Sequence, residues 1–303
     1  MLGALSVSSL PVIELKNNIQ YLKMGLATVL GIAKRGYFIP YRYAHLIEPD
    51  RATLSWVEDL FSQHETGGFS QILVAIADYQ SSLLKIADED RPGNRGPRFT
   101  QDWFPGLDAM AAYAILRQTA PRRVVEVGSG HSTRFMARAI LDGGLTTEIH
   151  CIDPAPRAEI SGITTSHRAS TAQNAGVSAF SGLNRGDVLF IDSSHIAMPG
   201  SDVDFLLTRV LPTLEAGVLV HIHDIFLPDP YPVDWEWRGY NEQSLVAALL
   251  GSGGFEPVFA SQYVRTRMRE ALGDDLFVAT APPEQAFESS LWLRKLTGPM
   301  VSR

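Results

Sequence analysis

The chain has 303 residues, enough for one α/β domain with an additional segment or for two small domains. Hydrophobic residues make up 45% of it and charged residues 19%, values typical of a globular protein that buries a core. The formal net charge is −7, whereas binding to a nucleic-acid backbone requires clustered Lys and Arg. We therefore predict no nucleic-acid partner.

Two further features bear on the compartment. No apolar stretch reaches the roughly 18–20 residues of a transmembrane helix, and Met1–Val12 lacks the basic start and cleavage site of a signal peptide. The single cysteine, Cys151, excludes a disulfide within the chain and fits a reducing compartment. These features predict a cytoplasmic protein.

The first third of the chain has helical patterns. Apolar residues recur at steps of three and four over Leu15–Ile32, which predicts an amphipathic helix, and similar patterns follow at Ala52–Gln63 and Ser70–Ile86. A charged run rich in Gly and Pro at Asp88–Pro97 predicts a domain boundary. We predict a helical cap or lid over residues 1–95 and a second domain over residues 96–303.

From Gly106 onward, short apolar runs alternate with helical patterns. Strands are predicted at residues 124–127, 149–153, 163–167, 187–192, 218–224, 257–264 and 276–279, and helices at 106–118, 132–141, 203–214 and 243–250. Continuous apolar strands that alternate with helices form parallel sheets covered on both faces. The pattern predicts an α/β domain with a doubly wound, mostly parallel, seven-stranded sheet.

Three of these strands end in acidic residues or glycines. Glu126-Val127-Gly128-Ser129-Gly130-His131-Ser132 follows the first, and its glycines allow a sharp turn and a close approach to a ligand. Asp153 and Asp192 end two later strands, and a carboxylate at the position of Asp153 can accept hydrogen bonds from a ribose diol. In doubly wound sheets, ligands bind at the carboxyl ends of the strands. This edge is therefore the predicted nucleotide site.

The motif at residues 126–132 resembles the E/D-x-G-x-G-x-G motif of class I methyltransferases, with Ser132 in the place of the last glycine. The resemblance covers about Gln101–Val264 and extends to bacterial small-molecule methyltransferases. It implies a Rossmann-like methyltransferase fold, S-adenosylmethionine as cofactor and a small-molecule methyl acceptor. It also implies a set of cofactor-binding residues: Glu126, Gly128, Ser129, Gly130, Ser132, Asp153 and Asp192.

Possible proton acceptors and metal ligands follow the fourth and fifth strands. Asp192, His195 and His223-Asp224 are similar to the site of metal-dependent catechol-type O-methyltransferases, with His223 where that family has an acid. The resemblance implies His195, His223 and Asp224 as catalytic residues, His195 being the base, and Asp192, His223 and Asp224 as ligands of a divalent metal. Because one ligand is a His, Mn²⁺, Fe²⁺ or Zn²⁺ would suit the site as well as Mg²⁺ or better.

Other interpretations stay open at this point. A dinucleotide-dependent oxidoreductase would also use Asp153, but its G-x-G-x-x-G motif would require glycine at Thr133. A non-catalytic binding protein could retain the fold. His221 is expected to be a hydrogen-bonded core histidine. The Leu15–Ile32 helix could be a lid, core packing or a homo-oligomer interface, and we do not expect it to contact a membrane.

Overall fold

A computed structural model describes residues 12–48, 50–91, 93–272 and 274–300. Its α-helices are α1 Val12–Val29, α2 Ser55–Ser62, α3 Ser70–Asp78, α4 Gln80–Asp88, α5 Gly106–Thr119, α6 His131–Gly143, α7 Ala172–Ala175, α8 Asp202–Phe205, α9 Glu242–Gly251, α10 Ser261–Arg267 and α11 Asp274–Ala279. Its strands are β1 Arg123–Val127, β2 Glu148–Ile152, β3 Ser166–Arg168, β4 Val188–Ile191, β5 Leu219–Ile222, β6 Phe255–Ala260 and β7 Leu291–Lys295. Among the described residues, no helix combines the length and apolar character needed to cross a bilayer.

The seven strands form one sheet in the order β3-β2-β1-β4-β5-β7-β6. Neighbours among β1 to β5 are parallel, and β7 runs antiparallel between β5 and β6. β1, β4 and β5 consist mainly of buried Val, Leu, Ile and Phe, because helices cover both faces of a parallel sheet. The predicted doubly wound α/β sheet is confirmed. Strand order reverses between β1 and β4, which is where such sheets bind ligands.

The C-terminal strands differ from the prediction. The run predicted as a strand at residues 276–279 belongs to helix α11, and the strand predicted over 257–264 ends at Ala260, where α10 begins. The last strand is β7, which was not predicted. A run of four apolar residues such as Leu276–Ala279 fits either a helix or a strand, so packing decides its conformation.

The chain divides into two compact units. One contains the described residues up to Arg51 together with Tyr231–Gly239, and the other contains Ala52–Pro230 and Tyr240 onward. This division differs from the predicted one at residues 95/96, because α2, α3 and α4 belong to the unit that holds the sheet. Their apolar side chains, such as Phe61, Ile76 and Leu83, belong to the same buried core as Trp292 of β7.

A buried carboxylate holds the turn between β1 and α6. Glu126 of β1 has no exposed surface, and its two oxygens accept hydrogen bonds from the hydroxyls of Ser132 and Thr133, each at 2.6 Å. Both hydroxyls lie in the first turn of α6. Burial raises the pKa of Glu126 to about 7, although the two hydroxyl donors act to lower it. The start of α6 is thus fixed to the strand that precedes it.

The raised pKa of Glu126 gives the stability a specific pH dependence. A carboxyl group whose pKa is raised on folding stabilises the folded state below its unfolded pKa of about 4.3, and that stability is lost as the pH rises through about 7. Relative to Glu126→Gln, the free energy of unfolding of the wild type should fall by about 2–3 kcal/mol between pH 5 and pH 8. Urea unfolding of both proteins measures this difference, and a difference that does not vary with pH would contradict it.

Candidate functional site

The turn after β1 touches the end of β4. Gly128 has φ +75°, and a β-carbon built on it would lie 2.1 Å from the backbone oxygen of Asp192. Both the left-handed conformation and the lack of space therefore require glycine at this position. The contact places the first predicted cofactor motif directly against the fourth strand end, as the sequence predicts for a single binding edge.

The second glycine of the motif packs on the loop after β2. Gly130 has φ +156°, and a β-carbon there would lie 3.3 Å from the backbone nitrogen of Ala158 and from the side chain of Arg157. Ser129 is buried, and its backbone oxygen accepts a hydrogen bond from the Arg157 N–H at 3.0 Å. The loops after β1 and β2 therefore form one connected surface at the carboxyl edge.

Asp153 joins these two loops. Its Oδ2 accepts the Ser129 N–H at 2.6 Å and the Ser129 hydroxyl at 3.2 Å, and its Oδ1 accepts the Ala155 N–H at 2.7 Å. An ionised carboxylate offers about four acceptor positions, so Asp153 keeps capacity for a further donor. The buried side chain has a structural task in the loop, and it lies at the edge where a ribose was predicted.

The predicted catalytic and metal-binding residues meet in one group. We call it the histidine–carboxylate cluster. It comprises two histidines and four carboxylates, which come from α5, the ends of β4 and β5, and the start of α9: Asp108, Asp192, His195, His223, Asp224 and Glu242. All are buried except Asp192, whose side chain is 25% exposed. The cluster is therefore accessible to a ligand from the side of Asp192.

His195 lies among three carboxylates. Its Nδ1 is 3.0 Å from Glu242 Oε2, while its Nε2 is 3.4 Å from Asp192 Oδ1 and 3.3 Å from Asp224 Oδ2. Burial alone would lower the pKa of His195, but Asp224, Asp192 and Glu242 together raise it well above its usual range. The two ring nitrogens of His195 thus both face acidic groups.

His223 has a similar environment. Its Nε2 is 3.3 Å from Asp108 Oδ2, and its Nδ1 is 3.7 Å from Asp192 Oδ1 and 3.5 Å from Asp224 Oδ1. Burial alone would lower the pKa of His223, but Asp224, Asp108 and Asp192 raise it well above its usual range. In turn, burial would raise the pKa of Asp192, but hydrogen bonds from the two histidines lower it well below its usual range.

Backbone strain is located in the same cluster. His195 has φ +59° and Asp224 has φ +55°, a left-handed conformation that non-glycine residues rarely adopt. Strain of this kind costs on the order of 1–3 kcal/mol per residue and tends to occur at functional sites. The N–H groups of Asn241 and Glu242 donate to the His195 carbonyl at 3.1 Å and 3.3 Å, which holds the strained residue in place.

His221, which lies in β5, differs from His223, which follows the end of that strand. Its ring stacks on Phe190 with centroids 3.7 Å apart, and its Nε2 is 2.8 Å from the hydroxyl of Ser290. Burial lowers its pKa well below the usual range, which keeps the ring neutral. The expectation of a hydrogen-bonded core histidine agrees with these contacts.

Two members of the cluster were not predicted from the sequence. Asp108 has no exposed surface and accepts the Ser289 and Ser290 N–H groups at 3.0 Å and 2.9 Å. Glu242 is the first residue of α9 and is 1% exposed. One signal was present: Asp108 is the only acidic residue in the apolar helix α5. A lone acid in a buried helix requires a partner, here His223 and the start of β7.

Comparison with known proteins gives one match to a family and several to solved structures. Residues 125–225 match a family model described as "Methyltransferase domain". No curated protein matches the chain.

Among solved structures, the chain is similar to the methyltransferase PaMTH1 of Podospora anserina bound to S-adenosylhomocysteine, with 15% identity, coverage of 86% of this chain and 99% of that chain, and a TM-score of 0.40. It is also similar to the O-methyltransferase TomG of Streptomyces achromogenes, involved in tomaymycin synthesis and in complex with S-adenosylmethionine, with 16% identity, coverage of 62% and 78%, and a TM-score of 0.37. The plantazolicin methyltransferase BpumL, in complex with S-adenosylhomocysteine, has 12% identity, coverage of 94% and 100%, and a TM-score of 0.38.

The family match covers the part of the chain that builds the site. It begins in β1 and ends just after β5, and so includes the Gly128 turn, Asp153, Asp192 and His223-Asp224. The sheet that carries these residues has the fold predicted for a class I methyltransferase. Residues 125–225 are therefore similar to a methyltransferase domain.

Proposed function

We propose that the protein transfers the methyl group of S-adenosylmethionine to an oxygen of a small molecule, with a divalent metal ion assisting the transfer. The observation that carries the proposal is the joining of two sites at one sheet edge. The Gly128 turn contacts Asp192, and Asp192 is also part of the histidine–carboxylate cluster. A cofactor on the turn would hold its methyl group next to the cluster.

The cofactor side of the proposal concerns the loops after β1 and β2. Gly128, Ser129, Gly130 and Ser132 would form the surface under the cofactor, and Asp153 would accept a hydrogen bond from its ribose. Glu126 and Ser132 would contribute by holding the turn in shape and not by bonding to the cofactor, because the Ser132 hydroxyl already donates to Glu126. Asp192 would lie between the cofactor and the acceptor.

The acceptor side follows from the chemistry of methyl transfer. The sulfonium is a good leaving group, so the main tasks of the protein are alignment and removal of a proton from the acceptor oxygen. Four carboxylates and two histidines at the place of reaction favour an oxygen acceptor, whose proton needs a base or a metal. A dinucleotide-dependent oxidoreductase has no observation in its favour, since the matching family is a methyltransferase domain.

The metal part of the proposal rests on the donor set. Asp192, His223 and Asp224 would hold the ion, as the catechol-type resemblance implies. In the described part of the chain, no group of three or more His, Cys, Asp or Glu side chains is arranged so that it could hold a metal ion without rearrangement. Instead, the His223 ring nitrogen forms ion pairs with the carboxylate oxygens of Asp192 and Asp224. Carboxylate oxygens and imidazole nitrogens are nevertheless the ligand types that such a cation prefers. A divalent cation held there would supply Lewis-acid polarisation of the acceptor oxygen.

Three assignments stay predictions. His195 is the predicted base. The cap or lid role of residues 1–95 stays a prediction; in the described part of this segment before Ala52, many apolar side chains, such as Leu22, Leu26 and Phe38, are exposed. The cytoplasmic location is likewise a prediction from the cysteine content.

Asp153 provides a direct test of the cofactor site. Isothermal titration with S-adenosylhomocysteine should show one molecule bound per chain, and Asp153→Ala should weaken binding roughly 10- to 100-fold, the usual worth of a hydrogen bond to a charged group. Asp187→Ala is a matched control, because Asp187 is a buried carboxylate that accepts two backbone N–H groups at the opposite end of β4. Absence of binding to the folded wild type at millimolar ligand would refute the proposed function.

Gly128 provides a second test, which separates the effect of a steric collision from the effect of backbone strain. Gly128→Ala should abolish binding of S-adenosylhomocysteine, because the new methyl group collides with the Asp192 oxygen and moves the turn. Gly186→Ala is the control: Gly186 has φ +86°, and a β-carbon added to it would meet no atom within 4 Å, so this variant has the strain without the collision. The same titration measures both variants. Equal binding by the two would show that the close contact does not shape the site.

A further inference from the structure

We propose that α1 is the contact surface for a second copy of the chain, with the two α1 helices packed antiparallel across a two-fold axis. The centre of the contact is a row of four residues, Ile19, Leu22, Leu26 and Val29, which we call the α1 stripe. The proposal goes beyond methyl transfer and does not depend on it, because the α1 stripe shares no residue with the proposed cofactor site or with the histidine–carboxylate cluster.

Exposed apolar side chains are concentrated in one short segment. Residues 19–47 carry fifteen large apolar side chains that are 40% to 76% exposed, whereas the rest of the described chain carries thirteen exposed ones. Single exposed apolar residues are ordinary on a protein surface, but a large group of them marks an interaction site. The segment therefore has the composition of a surface that another molecule covers.

The residues that follow α1 are held against the end of the helix. The Ile32 N–H donates to the Ala27 carbonyl at 2.9 Å, and the Arg35 N–H donates to the hydroxyl of Thr28 at 2.9 Å. Both acceptors lie in the last turn of α1. The chain after the helix thus turns back onto it, which joins the exposed side chains of both parts in one surface.

The α1 stripe has the spacing of a helix that packs on another helix. Its four residues are 46% to 62% exposed and lie three, four and three positions apart, as the a and d positions of a heptad do. This spacing is the same in both chain directions, so the stripe is complementary to itself, as a two-fold interface requires. In an antiparallel pair, Ile19 would face Val29 of the second copy, and Leu22 would face Leu26.

The charge of the segment favours the antiparallel direction. Residues 19–47 include four basic residues and no acidic one: Lys23, Lys34, Arg35 and Arg42. A parallel pair of helices would bring the basic residues after α1 of the two copies together, and like charges in an interface are costly. An antiparallel pair places them at opposite ends, and only Lys23 lies within the span of the stripe.

The exposed area is sufficient for a stable dimer. Five of the fifteen side chains are aromatic and about half exposed, and at on the order of 200 Å² each in full they expose roughly 500 Å². The ten other apolar side chains, at roughly 100 Å² each in full, expose about as much again. A standard interface buries about 800 Å² on each partner. The segment therefore offers the area that one partner contributes to a stable complex.

Analytical ultracentrifugation of the full chain tests the dimer. The wild type should sediment at roughly 10 µM with a mass close to twice the 33.3 kDa of one chain, since interfaces of this size give micromolar or tighter binding. Leu22→Asp combined with Leu26→Asp should raise the dissociation constant about 100-fold or more, because carboxylates without partners would enter the apolar contact. Val74→Asp combined with Leu141→Asp is the matched control: both residues are exposed on other helices, and this variant should remain a dimer.

Cysteine cross-linking tests the direction of the helices and does not need the aspartate variant to fold. Chains carrying Ile19→Cys and chains carrying Val29→Cys, with different tags, are mixed and oxidised; the natural Cys151 is only 1% exposed and does not interfere. Disulfides should join unlike chains. Two Ile19→Cys chains should not cross-link, because ten residues of helix rise separate these positions by about 15 Å, beyond the reach of a disulfide.

Several outcomes would overturn the proposal. A wild type that sediments as a monomer, or a dimer that the two aspartates leave intact, would remove the α1 stripe from the interface. Disulfides between like chains only, or no disulfide at all, would contradict the antiparallel pair. A monomeric wild type that co-sediments with vesicles containing phosphatidylserine would assign the surface to a membrane instead. None of these results bears on the binding of S-adenosylhomocysteine, which tests the proposed function separately.

Discussion

The approach of the Gly128 turn to the backbone of Asp192 is the constraint on which the rest of the site depends. A β-carbon on Gly128 would collide with the Asp192 oxygen, so the first and fourth strand ends meet without an intervening side chain. This contact lies where the strand order reverses, between β1 and β4. Because Asp192 is itself a member of the cluster proposed for the acceptor, the contact places the proposed cofactor surface next to that cluster. Methyl transfer needs just such a juxtaposition, because alignment supplies most of the catalysis.

Two groups of buried charged residues lie around this contact. Glu126 lies beneath the turn and holds the start of α6 through two hydroxyl groups, which is a structural use of a carboxylate. The histidine–carboxylate cluster lies beside the turn and contains more acids than its histidines can balance. The chain itself satisfies the first arrangement, whereas the second keeps more negative charge than its two histidines can balance. The strained backbone of His195 and Asp224 belongs to the second arrangement.

Much of this could be predicted from the sequence, because the carboxyl ends of parallel strands meet at one edge. Knowing that Val127, Ile152 and Ile191 end strands is enough to bring Gly128, Asp153 and Asp192 together. The contributions of Asp108 and Glu242 could not be predicted in this way. Asp108 lies more than one hundred residues from its partner His223 and reaches it only through the packing of α5 against the sheet.

The differences between the predicted and observed elements have a similar physical origin. The apolar run at 276–279 has no period that distinguishes helix from strand, and the sheet edge is instead completed by β7, whose residues pair with β5 and β6. Likewise, residues 52–95 have helical patterns that do not reveal which core they join, and their packing places them with the sheet. Local patterns determine the elements well, but long-range packing determines their neighbours.

A crystal structure of the protein with S-adenosylhomocysteine is the most direct test of the account. We expect the ligand to lie across the Gly128 turn, with its ribose at Asp153 and its sulfur directed towards Asp192 and the histidine–carboxylate cluster. Ligand density at another face of the sheet, or a sulfur directed away from the cluster, would contradict the central claim that these two sites form one active centre.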